Sequence, residues 1–244
     1  MQLEICCFNL ASALIAQQAG AQRVELCASP GEGGTTPSAG VINAARERLQ
    51  IALYPIIRPR GGDFLYSEDE FRVMQKEVEY CKRAGCDGVV IGLLKADGSV
   101  DKEGCARLVE LAYPLGVTFH RAFDWTANPF EALEDIISLG FERILTSGQG
   151  QTAMEGAGLI NELVREAAER IIIMPGSGVR SSNITALVEK TDAVEFHTSA
   201  RVLQVSGMEF VNSGMGGDQS VVMADGAEIQ LILERLTAAA VNRS

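Results

Sequence analysis

VELCAS (residues 24–29) has two relatives elsewhere in the chain, LEICC (3–7) and VEFHTS (194–199). Each reads apolar, Glu, apolar, then Cys or His. In a β-strand, residues i and i+2 share a face. Each copy therefore puts a carboxylate and a metal-capable side chain on one side of one strand. The three copies are the first, second and last of eight short apolar runs, beginning near Leu3, Arg23, Ile51, Gly88, Gly116, Glu142, Arg170 and Ala193. Amphipathic segments separate them, at about 12–19, 38–49, 67–84, 101–112, 129–139, 154–168 and 181–190, with a last one at about 225–240. The punctuation agrees. Ser67 with Glu70 has the spacing of a capping box, and Asn128-Pro129 reads as an N-cap and first helical residue. In QAGAQR, RAGCDG and SLGFER a glycine ends each helix ahead of the next strand. Eight strands alternating with eight helices, and no GxGxxG after the first strand, predict a single (β/α)8 TIM barrel over residues 1–244 rather than a doubly wound sheet. An irregular stretch at about 201–224 follows the eighth strand and is expected to cap the barrel mouth or form an oligomer contact.

Composition narrows the function. The 244 residues are 47% hydrophobic and 22% charged, with a net charge of −11. A polyanion binder carries a basic stripe, and none is visible, so nucleic acid is not expected as a partner. No apolar run approaches the ~20 residues that span a bilayer, so no membrane partner is expected. The N-terminus MQLEICCFNL lacks the basic region of a secretory signal. The six cysteines include no CxxC pair, which favours reduced thiols in the cytoplasm over a disulfide framework.

In such a barrel the site lies at the C-terminal ends of the strands. There the sequence puts Glu4 and Cys6, Glu25 and Cys27, Arg58 and Arg60, His120 with Asp124, Ser147, and then Glu195 with His197. In matching register, Glu4, Glu25 and Glu195 lie side by side, with Cys6, Cys27 and His197 one layer above. Three clustered carboxylates need a cation, and Arg58 has inward parity on the third strand. Two thiols and an imidazole suit trigonal Cu(I), or zinc with an open position. A second chemistry is anionic. The Gly-rich turns LTSGQG, with Ser147 and Gly148, and PGSGV, with Gly176 and Gly178, offer backbone amides to a small anion. Arg58 and Arg60 would add a bidentate clamp. Glu25, His120 and Asp124 are the acid/base candidates. None of the five lysines is placed for a Schiff base in the lumen, and GxSxG and HExxH motifs are absent.

The stretches VELC, GGTTPS (33–38), IRPRGGDF (57–64), DGVVIGLL (87–94), TFHRAFD (118–124), RILTSG (143–148), MPGSGV (174–179) and EFHTSA (195–200) resemble the CutC family, named as copper homeostasis proteins. The resemblance runs in order from Leu3 to about Ala200. It implies a (β/α)8 barrel, a cytoplasmic location, a homo-oligomer that is often a dimer, and a Cu(I) site using Cys6 and Cys27. No organic cofactor is expected. Two readings stand open. One is Cu(I) binding or trafficking through the thiols. The other is an enzyme acting on a small phosphorylated or carboxylated metabolite through Arg58, Arg60 and His120.

Overall fold

A computed structural model describes residues 1–210, 212, 214–215 and 219–241. The elements alternate as expected. β1 (Gln2–Cys7) leads to α1 (Leu10–Gln18), β2 (Arg23–Leu26) to α2 (Ala39–Arg48), and β3 (Ala52–Pro55) to α3 (Glu68–Arg83). β4 (Gly88–Ile91) leads to α4 (Lys102–Ala112), β5 (Gly116–Phe119) to α5 (Pro129–Ser138), and β6 (Arg143–Thr146) to α6 (Ala157–Ala167). β7 (Ile172–Pro175) and α7 (Ile184–Thr191) precede β8 (Glu195–Thr198). All eight strands run parallel, in the ladders β3-β2-β1-β8 and β4-β5-β6-β7. A parallel bridge from Ile56 to Val90 joins β3 to β4.

The helix ends follow local chemistry. Ser67 and Glu70 close a reciprocal capping box at the start of α3, and the Asn128 side chain accepts from the Phe130 and Glu131 amides ahead of α5. The alternation of each strand separates two environments. Leu3, Ile5, Val24, Leu26, Ile91 and Phe119 pack in the large apolar cluster shared with the helices. The opposite parity fills the lumen, where Cys27, Tyr54, Ile56 and Val90 form a small cluster of their own. Parallel strands covered on both faces are buried throughout. The Tyr54 ring lies across the first residues of β4 and β5. A Cβ on Gly88 would fall 2.1 Å from its Cε1, and one on Gly116 would fall 2.3 Å from its hydroxyl. Both positions therefore require glycine.

The stretch expected to be irregular at about 201–224 begins and ends in strands, β9 (Arg201–Gln204) and β10 (Val221–Ala224), paired antiparallel. Part of what lies between them falls outside the described residues. β10 is tied to the start of α1: the Asn9 amide group donates to the Val222 carbonyl at 2.9 Å, and the Ala224 amide donates to the Ser12 hydroxyl at 3.1 Å. α8 (Gly226–Val241) closes the chain.

Register decides what the lumen side chains meet. Glu4 lies level with Arg23 on β2 and with His197 on β8, and Cys6 lies level with Glu25. The three Glu-X-(Cys/His) copies therefore climb like stairs from β8 through β1 to β2, each displaced by two residues. Such stagger is what closing a barrel demands. It replaces like beside like with unlike beside unlike. The row of three carboxylates expected from matched registers does not form.

Candidate functional site

At the bottom of the lumen, Arg23 resolves the charge of the acids. Its Nε donates to Glu4 Oε2 at 2.5 Å and its Nη2 to Glu195 Oε2 at 2.5 Å. Arg143 adds a contact to Glu195 at 3.3 Å. Arg58, expected to take this role, spends its guanidinium elsewhere. It donates to the backbone carbonyls of Glu32, Gly34 and Gly62, pinning the loop after β2 to its own. The reason is reach: Arg58 lies beyond the end of β3, well above the layer of Glu4. The sequence carried the missed signal, since Arg23, Glu25 and Cys27 alternate on one face of RVELC.

One layer up, the Sγ atoms of Cys6 and Cys27 are 3.6 Å apart. A Glu25 carboxylate oxygen joins them, with all three donor atoms within 4.8 Å of one another. His197 stands beside this group. Its Nδ1 bonds Glu4 Oε1 at 2.6 Å, and its Nε2 faces Glu25 Oε2 at 3.7 Å. The electrostatics are coupled. A hydrogen bond from the Cys27 thiol, with His197 close by, holds Cys6 down to about 5, against the effect of its burial. Burial and the negative charge on Cys6 push Cys27 up. Burial and Cys6 likewise push Glu25 up. Burial works against a charged His197, but Cys6, Glu4 and Glu25 overcome it and raise its pKa. The floor of the cavity thus favours the thiolate form of Cys6 beside the His197 ring, with the Glu25 carboxyl and the Cys27 thiol on either side. A thiolate is the form that attacks or ligates.

The other expected residues lie higher. A cavity of about 280 Å³ opens above the thiols, and Cys6, Glu25, Arg58, His120, Gly178 and His197 contribute to its walls. Arg60 is not among its lining residues. It pairs with Asp63 at 2.9 Å and Glu70 at 2.5 Å, so Arg58 and Arg60 do not converge as a clamp. His120 and Asp124 do not form a pair. The His120 Nδ1 accepts from the Ala122 amide at 3.1 Å. The Asp124 carboxylate is instead taken up by the turn after β6. It accepts from the Thr146 hydroxyl at 2.5 Å, from the Ser147 amide at 2.9 Å and from the Gln149 amide at 3.2 Å. The Gly148 amide goes to the Thr146 hydroxyl at 2.8 Å. The amide cradle of LTSGQG therefore already holds an anion, and that anion is the protein's own aspartate. In PGSGV, the Gly176 amide is spent on the Thr146 carbonyl at 2.9 Å, whereas Gly178, in the left-handed region at φ +70°, lines the cavity.

The buried network sets a pH profile. Burial alone would raise the Glu4 carboxyl, but Arg23 and His197 bring it from 4.5 to about 2. A depressed acid contributes stability above its unfolded value and loses it as pH falls through the folded one. That limb spans about pH 4.5 to 2. Glu25 and His197, both raised, act oppositely: their contribution is complete below 4.5 and 6.5 respectively and is lost as pH climbs through their folded values, while Cys6, lowered from 9.0 to about 5, gains stability from about pH 5 to 9 and offsets the Glu25 loss. The metal-free protein is therefore expected to be most stable between about pH 4.5 and 6.5, with Tm falling on both sides. Thermal unfolding from pH 2 to 9 tests this, and a Tm that rises steadily from pH 5 to 8 would count against it.

A CutC family model matches residues 1–202. The chain belongs to the CutC family. A CutC family protein of Chromobacterium violaceum is 54% identical, over 88% of this chain and 87% of its own. The human copper homeostasis protein cutC homolog is 47% identical, over 87% of this chain and 78% of its own. The crystal structure of a CutC protein from Streptococcus agalactiae superposes with a TM-score of 0.78 at 33% identity, covering 82% of this chain and 98% of that one. Phosphoribosylanthranilate isomerase of Thermotoga maritima has the same barrel fold, with a TM-score of 0.61 at 14% identity, over 98% of this chain and 99% of its own. The CutC match takes in every residue discussed at the cavity and ends inside β9, so β10 and α8 lie beyond it.

Proposed function

We propose that this chain serves copper homeostasis by binding Cu(I) between Cys6 and Cys27. The observation that carries the reading is the 3.6 Å separation of the two Sγ atoms at the floor of an open cavity. Thiolates select soft cations such as Cu(I). With metal–sulfur bonds of about 2.3 Å, as for zinc thiolates, this span gives a bent S–metal–S angle of about 100°. A bent pair leaves room for a third donor, drawn from Glu25 or His197. Cys6 is already held toward the thiolate, so binding mainly expels the Cys27 proton. The human and mouse relatives, both named copper homeostasis protein cutC homolog, point the same way.

The reading places the protein in the reducing cytoplasm, where thiols persist. It also includes a homodimer. Val202, Leu203 and Phe210 are exposed on and beside the β9–β10 hairpin and offer it an apolar contact. No membrane contact enters this reading, and no described helix is long and apolar enough to cross a bilayer. Nor does the reading require nucleic acid or an organic cofactor.

An anaerobic competition titration of the reduced protein against a Cu(I) chelator tests it. One Cu(I) per chain at sub-nanomolar affinity is expected, roughly −12 kcal/mol or stronger. Micromolar binding, or uptake without fixed stoichiometry, would remove the copper reading.

A further inference from the structure

Beside the cavity stands a buried donor that nothing among the described residues answers. His120 follows β5 with its ring 5.0 Å from Phe64 and 6.1 Å from Phe119, centroid to centroid. Gly92 makes the room, since a Cβ there would fall 2.4 Å from the His120 Nδ1. That Nδ1 accepts a hydrogen bond from the Ala122 amide, so the neutral ring carries its own hydrogen on Nε2. Burial and the positive charge of Arg58 hold the group at about 3, which keeps the ring neutral at physiological pH. The residue is 3% exposed, and its Nε2 has no hydrogen-bond partner among the described residues. A buried donor left unpaired costs about 1–3 kcal/mol. A fold keeps such a group where something else supplies the acceptor.

The rest of the cavity indicates which acceptor. Arg58, Arg121, Arg180 and Arg201 all contribute to its walls, in a chain whose net charge is −11. Glu25 is the one carboxylate among its described lining residues. Arg58 Nε also lacks an acceptor, although the Tyr66 hydroxyl, likewise unpaired, bears on the same guanidinium and can meet it. A low-dielectric concavity in which one sign of charge predominates concentrates the opposite sign, and here four arginines outnumber the acidic groups at its floor. The turns after β7 and β8 contribute Gly178 and Ser199 to the same wall, where barrels of this kind seat phosphate groups.

We propose that the cavity binds a small oxyanion, the phosphate or carboxylate group of a metabolite, with one oxygen accepting from His120 Nε2 and the charge met by Arg180 and Arg201. This site lies above the thiol pair and does not depend on it. At about 280 Å³ the cavity admits only a small ligand. The seat differs from the Gly-rich turn after β6, which Asp124 fills, and from the Arg58–Arg60 pair, which does not converge.

The test is thermal shift and calorimetry at constant ionic strength, with inorganic phosphate and succinate as separate probes and chloride as control. The proteins are wild type, Arg180→Gln/Arg201→Gln, His120→Phe and Cys6→Ser/Cys27→Ser. The two arginines sit at the mouth, so their double variant folds even where the buried His120→Phe does not. Saturable stabilisation of wild type by either probe is expected, weakened at least tenfold in the arginine variant and retained in the thiol variant. A response to phosphate alone assigns a phosphorylated ligand, and a response to succinate alone a carboxylate. No saturable response to either probe, or an equal response in the arginine variant, overturns the proposal. Neither result bears on Cu(I) binding, which the thiol variant reads separately.

Discussion

Arg23→Met is expected to lower the unfolding free energy by about 3–5 kcal/mol, the effect of removing one partner from a buried ion pair. Arg23 is 5% exposed, and it bridges Glu4 at 1% and Glu195 at 5%. Without it, two carboxylates stay in the lumen. His197 remains on Glu4, and Arg143 remains 3.3 Å from Glu195, so part of the charge is still met. The instructive control is the triple variant Arg23→Met/Glu4→Leu/Glu195→Leu. Removing all three charges also removes their desolvation penalty, so this variant is expected to recover most of the loss. Chemical denaturation measures both. A loss under 1 kcal/mol for Arg23→Met would show that the network does not depend on its central cation.

Cys27→Ser is expected to weaken Cu(I) binding at least a thousandfold, about 4 kcal/mol. Serine keeps the shape but exchanges a soft sulfur for a hard oxygen. Cys27 is 1% exposed and does not pack with the helices, so stability should change little. Cys7→Ser is the matched control. Cys7 adjoins Cys6 in sequence, but parity turns it to the opposite face, into the large apolar cluster. Its Cu(I) affinity is expected to stay within threefold of wild type. Anaerobic competition titrations of the two variants decide the matter. Equal losses in both would mean that the effect comes from disturbed packing rather than ligation.

The sequence disclosed faces well and levels poorly. Alternation of two correctly turned Glu4 and Cys6, Glu25 and Cys27, and Glu195 and His197 into the lumen. Their heights relative to one another come from closing the barrel, a property of all eight strands that no single strand records. For that reason Glu4 meets Arg23 and His197 rather than two other acids. The fate of donors was equally hidden. Arg58 and Asp124 are residue types found in active sites, yet here backbone carbonyls absorb the first and backbone amides the second. Side-chain identity states what a group can donate or accept, not which main-chain partner reaches it first. Arg23 was within reach of the sequence, since it shares the parity of Glu25 and Cys27. The β9–β10 pairing was not, because it joins short runs separated by NSGMGGDQS, whose composition signals only turns.

The closeness of Cys6 and Cys27 has a redox consequence. Sulfurs 3.6 Å apart need to approach by only about 1.5 Å to reach disulfide length. Loss of two electrons and two protons to an oxidant such as dioxygen or oxidised glutathione would join them, and a disulfide has no thiolate to offer a metal. If the pair binds Cu(I) as proposed, copper capacity tracks the thiol–disulfide poise of the surroundings. On that reading, the number of free thiols in a preparation left in air, rather than the protein concentration, is expected to set how much Cu(I) it holds.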